Sequence, residues 1–150
     1  MKLKDYLPES HIIAALAGIT KVDVIQELLI RMKNLSILKD YDLAFSDIMS
    51  REGYLSTGLE NGLAIPHAKT DGIETLALTF GLKKAGVEFE SLDQKPAQLI
   101  FLVLSPKDIS GPHIHALALI ARNLKDIKTR QKLIGAGSSA EIASIFESFN

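Results

Sequence analysis

The chain has 150 residues, 47% of them hydrophobic and 23% charged, with a net charge of −1. That length suits one domain with a substantial core, and the near-neutral balance offers no electrostatic reason to expect a nucleic-acid partner. There is no cysteine, which excludes disulfides, thiolate nucleophiles and cysteine zinc sites and fits a reducing compartment.

The run Ile12-Ile13-Ala14-Ala15-Leu16-Ala17 follows Asp5, Pro8, Glu9 and His11 rather than a basic segment. It is read as a first strand, Ile12 to Leu16, and not as a secretory leader, so the expected location is cytoplasmic. Thr20 and Asp23 have the spacing of a capping box and open an amphipathic helix through Val24, Leu28 and Met32 to about Leu35. A second helical stretch starts near Tyr41, contains Ser46 to Arg51 and closes around Gly53. Leu63 to Pro66 reads as a short strand. Thr75 to Leu82 alternates as a strand does, and Ala97 to Leu104 is continuously apolar after Gln98, as expected of a strand buried on both faces.

Beyond Pro106 the periodicity becomes helical. Pro112 suits the first turn of a helix to about Leu124, with Leu117, Ile120, Ala121 and Leu124 on one apolar face. A further helix spans about Ile127 to Ile134, closed by Gly135 and Gly137, and Ser138 with Glu141 caps a last one to about Phe149. The expected architecture is α/β: one mixed sheet with helices on both faces, an α/β sandwich, in a single domain over residues 1–150. No apolar run reaches the roughly 20 residues of a membrane-spanning helix.

The segment Thr57-Gly58-Leu59-Glu60-Asn61-Gly62-Leu63-Ala64-Ile65-Pro66-His67-Ala68 carries the chemistry. Proline fixes φ and lacks an N–H, so Pro66 is expected to end a strand and leave an imidazole at its tip. Gly58 and Gly62 can take conformations closed to other residues and let backbone N–H groups approach a ligand. His67 held in this way could be a nucleophile, an acid–base group or a metal ligand. His113 stands beside Gly111-Pro112 at an expected helix N-terminus, which suits an anion. Arg51, Ser56 and Thr57 could supply further anion donors. A zinc site of His67, His113 and His115 is disfavoured, because two positions along a helix separate side chains by about 200°. His11 is read as structural, and no P-loop is present.

This segment resembles the phosphorylation-site motif of fructose/mannitol-type (type 2) enzyme IIA domains of the bacterial phosphoenolpyruvate-dependent sugar phosphotransferase system. Arg51-Glu52 upstream, Gly86-Val87-Glu88-Phe89 with Leu92-Asp93, and His113-Ile114 with Leu117-Ala118 extend the resemblance over nearly the whole chain. It implies that His67 accepts a phosphoryl group from phospho-HPr and passes it to an enzyme IIB, with His113 orienting or stabilising and Arg51 supplying charge. Ser56 and Thr57 are candidate phosphate-binding residues. No cofactor or metal is implied. The acceptor in such systems is typically a cysteine, so with none here it belongs to another chain. The chain also has no length for a fused IIB, IIC or HPr domain and reads as a stand-alone domain or one excised from a larger protein. Glu60, Pro112 and His115 depart from the common pattern and bear on partner identity. Two other readings stay open: a regulatory, nitrogen-related enzyme IIA paralogue that signals by protein binding, and a structural domain with a degenerate site.

Overall fold

In the computed structural model, which describes residues 1–54 and 56–150, the chain forms one mixed sheet between two helical layers. Two 3-10 turns, Leu3–Asp5 and Glu9–His11, lead into β1 (Ile12–Ile13). Then follow α1 (Lys21–Asn34), α2 (Tyr41–Tyr54), β2 (Leu63–Ala64), β3 (His67–Lys69), β4 (Ala77–Val87), β5 (Ala97–Ser105), α3 (Gly111–Asn123), α4 (Ile127–Ile134) and α5 (Ser139–Phe146). Across the sheet the order is β1-β4-β5-β2, with β3 also on β5. The β4–β5 pair is antiparallel and the other pairs are parallel.

The helix starts follow their local chemistry. Thr20 accepts from the Asp23 amide and Asp23 reaches back to the Thr20 amide, the reciprocal box read from the sequence. Asp40 takes the Leu43 amide at α2, and Ser138 takes the Glu141 amide at α5. Along α1, Val24, Ile25, Leu28, Leu29 and Met32 are buried against one sheet face, where Thr79 Oγ1 also donates to the Leu28 carbonyl at 3.3 Å.

Alternation along the two long strands divides the core. Leu78, Phe80, Leu82, Leu99, Phe101 and Val103 pack on the α3–α5 side, with Phe80, Phe101 and Phe146 in mutual ring contact. Ile100, Leu102 and Leu104 pack with α1 and α2. Helices therefore cover both faces, as expected.

Several element readings are corrected. β1 stops at Ile13 because the chain then bends, and the Arg31 guanidinium takes the Ser10 and Ile12 carbonyls. β4 is buried on both faces up to Leu82, not one, because each face meets a helical layer. It continues through an irregular register to Val87. The buried face of α3 is His113, Ala116, Leu119 and Ile120, whereas Leu117 and Ala121 are half-buried at its edge. The last helix ends at Phe146, and Phe149 is buried from a following turn.

Candidate functional site

The glycine-rich run folds as a tight hairpin. The Leu59 amide donates to the Leu63 carbonyl at 2.8 Å, and Gly58 bridges Ala64. Asn61 and Gly62, with φ of 63° and 76°, make the turn. At Gly58 a Cβ would lie 2.6 Å from Ser91 Oγ and 2.9 Å from the Phe89 carbonyl. Gly62 serves the turn, and Gly58 the close approach of the 89–91 segment.

β2 and β3 are one strand with a break at Ile65-Pro66. Leu63 pairs with Leu99 and His67 with Val103, so the partner lies 36 positions ahead on both sides of the break. The Ile65 amide leaves the sheet for the Thr57 carbonyl at 3.1 Å, and Pro66 has no amide to offer. His67 therefore begins a strand instead of tipping one, and its side chain shares a strand face with Lys69.

The break aims a carbonyl at the imidazole. His67 Nδ1 is 2.6 Å from the Ile65 oxygen. A carbonyl only accepts, so Nδ1 carries the proton and Nε2 of the neutral ring keeps its lone pair. Burial lowers the His67 pKa below its usual value. The Ile65 bond opposes this, Arg51 adds to the lowering, and Glu52 acts against it.

The His113 ring lies 5.7 Å from that of His67, tilted by 58°, on the first turn of α3. Its Nδ1 is 2.7 Å from Ser105 Oγ at the end of β5. Burial first, then the charges of His67 and Lys69, bring its pKa down to about 4, so it is neutral near pH 7. Lys69 Nζ is 2.5 Å from Ser110 Oγ at the N-cap of α3. Both imidazoles are thus uncharged, and the one with its Nδ1–H fixed has a nucleophilic nitrogen in reserve.

His67 lines a cleft of about 270 Å³ with Arg51, Thr57, Leu59, Leu92 and Leu117 among its walls. Ser56 and Thr57 also face the cleft, but their donors are spent internally. The Thr57 amide and hydroxyl both donate to the Glu52 carboxylate, at 2.9 and 2.7 Å, and the Ser56 hydroxyl donates to the Phe89 carbonyl. Lys21 Nζ sits 2.9 Å from Glu52 beneath them. His115 is exposed on α3, away from His67, and His11 Nδ1 bonds the Leu78 carbonyl. Among the described residues no group of three metal-ligating side chains converges. Glu60 is exposed at the hairpin, in an adjoining groove with Leu92 and Lys125.

Sequence reading missed Lys21, Lys69 and Ser105, and gave Glu52 no task of its own. Two signals were available. Glu52 continues the buried i+4 stripe Ala44–Ile48 of α2, and Ser105 ends a strand buried on both faces; each is a polar group that needs a partner.

The chain belongs to the enzyme IIA type 2 family of the phosphoenolpyruvate-dependent sugar phosphotransferase system, whose model matches residues 5–149. It is 33% identical over 145 residues (97% of this chain) to the fructose-specific EIIABC component of Bacillus subtilis, of whose length it spans 23%. It is 31% identical to a nitrogen regulatory protein of Bradyrhizobium diazoefficiens, covering 97% of this chain and 94% of that one. The crystal structure of nitrogen regulatory protein IIA-Ntr from Neisseria meningitidis superposes with a TM-score of 0.88 at 29% identity, over 96% of this chain and 98% of that one. Enzyme IIA of mannitol from Escherichia coli, solved in complex with phosphorylated enzyme IIB, shares the fold with a TM-score of 0.79 at 17% identity, over 91% of this chain and 94% of that one.

Proposed function

We propose that the chain is a cytoplasmic phosphoryl carrier that takes its phosphoryl group from phospho-HPr onto His67 Nε2 and hands it to an enzyme IIB on a separate chain, in sugar uptake of the fructose/mannitol kind. The observation that carries this reading is the clamp of His67 Nδ1–H on the Ile65 carbonyl, which leaves Nε2 as the attacking atom. In the transfer the Nε2 lone pair forms a bond to phosphorus while the donor's N–P bond breaks and its electron pair returns to the donor imidazole. No proton need leave His67, and Nδ1–H keeps its carbonyl partner throughout. Phosphoryl transfer is mainly positioning plus stabilisation of the equatorial oxygens. Arg51 supplies positive charge from the cleft wall, and His113, neutral and hydrogen-bonded through Ser105, adds a dipolar neighbour without repelling the group. Ser56 and Thr57 support the wall rather than bind phosphate directly.

Family membership supports phosphoryl relay in general terms, and the enzyme IIA–IIB complex of the mannitol relative supports a IIB partner. The near-complete coverage of nitrogen regulatory relatives favours a second reading with equal weight: the same phosphorylation serves to regulate binding to a target protein.

Incubation with phosphoenolpyruvate, enzyme I and HPr, followed by intact-mass analysis, tests the shared step. An acid-labile phosphate adduct is expected on the wild type and absent from His67→Ala. A wild type that stays unmodified beside a competent control acceptor overturns the proposal. Discharge of the adduct by a purified IIB then separates carriage to a permease from regulation.

A further inference from the structure

Lys21 is an unusual residue for its place. It occupies the first position of α1, the positive end of that helix dipole, where a cation is disfavoured. Its side chain is only 15% exposed, and the Glu52 carboxylate it meets at 2.9 Å is 3% exposed. A buried ion pair is poor value for stability, since desolvation offsets the attraction. What the pair does accomplish is geometric. Glu52 receives both donors of Thr57 and fixes the last turn of α2, on which its neighbour Arg51 lines the cleft. On the opposite side Lys21 Nζ lies 5.3 Å from the Phe89 ring centroid and 3.8 Å from the Glu90 carboxylate, at the root of the segment that carries Leu92. It also reaches Ser56 Oγ at 3.5 Å, and that hydroxyl in turn holds the Phe89 carbonyl. One ammonium thus ties together the two walls of the His67 cleft.

We propose that Lys21 and Glu52 are positioning residues for phosphoryl transfer at His67, holding Arg51 on one wall and Leu92 on the other in the geometry the transferring group requires. This rests on the phosphoryl-carrier reading, to which it adds the support beneath the site. Neither residue touches the phosphoryl group. Their effect is on the rate at which a docked donor transfers, because small misplacements at a transfer site are costly.

The test compares Lys21→Met, Lys21→Arg and Glu52→Gln for transfer from phospho-HPr. Lys21→Met and Glu52→Gln are expected to lower kcat by about 10- to 100-fold, with Lys21→Arg restoring most of the rate. Independently of any donor, NMR titration of the His67 ring is expected to move down in Glu52→Gln, which removes an anion that raises the His67 pKa. General loosening of the fold would instead relieve the burial of the ring and move its titration up. If Lys21→Met fails to fold, the double variant Lys21→Met/Glu52→Gln, which buries no unpaired charge, carries the rate comparison. A folded Lys21→Met or double variant that transfers at the wild-type rate overturns the inference, as does a Lys21→Arg variant as slow as Lys21→Met. So does a Glu52→Gln variant whose His67 titration moves up or does not move. A wild type that accepts no phosphoryl group overturns the carrier reading instead, and the titrations still decide whether the pair governs the site.

Discussion

A histidine kept neutral by its surroundings makes a protein sensitive to acid. In the folded chain the His113 pKa is about 4, against roughly 6.5 when unfolded. Between those values the unfolded chain binds a proton that the folded one refuses, so stability rises with pH across this window. The contribution is fully present above pH 6.5 and is lost as pH falls towards 4; His67, also lowered, adds in the same sense. The melting temperature is therefore expected to drop from pH 7 to pH 4.5, and the slope to flatten in His113→Asn, as calorimetry at several pH values would record. The lowered pKa of His67 likewise predicts that the initial rate of phosphoryl acceptance holds below pH 6.5, since Nε2 keeps its lone pair there. Rates with pre-formed phospho-HPr between pH 5 and 8 check this. At this scale His67 stands out in the sequence because Gly58, Gly62 and Pro66 lead into it. Ser105 and Lys69 were not, since their partners, His113 and Ser110, are supplied by a helix that only the tertiary fold brings back.

Elements were read best where their ends carry their own chemistry. The Thr20–Asp23 and Ser138–Glu141 caps sit where the sequence put them, and α4 keeps its expected bounds. The misreadings came from what covers an element. Leu117 and Ala121 read as one apolar face of α3 with Ile120 and Leu124, but apolar periodicity does not separate a face packed on a sheet from one that lines a cleft. The hairpin of residues 58–64 depends on a close approach no local pattern announces. Gly58→Ala should force the Phe89–Ser91 segment away, at a cost of about 1–3 kcal/mol, measurable by urea denaturation. Phosphoryl acceptance should fall with it, because Leu92, the next residue along, forms a wall of the cleft.

At the level of the whole molecule, the two helical layers are joined through β4 and β5, whose side chains supply both cores. Leu102, fully buried on the α1–α2 side, is expected on truncation to alanine to cost about 2–5 kcal/mol. Far-UV circular dichroism and tyrosine fluorescence should report the loss at one common midpoint, because neither layer has a private sheet. The layered α/β plan was legible from strand burial and helix amphipathicity. Which strand pairs with which was not, because pairing is set by contacts remote in sequence. The broken strand beside β5 has a consequence for how this chain can change over time. Its two halves keep the same offset across Ile65-Pro66, and alternate side chains face opposite layers. Removing or adding a single residue there would turn His67 from the α3 layer into the α1–α2 core and bring Ala68 out in its place. The segment from Leu63 to Lys69 can therefore drift in composition far more readily than in length, and a library of one-residue deletions should show a sharp hole at these positions while the exposed turn around Glu60 and Asn61 stays permissive.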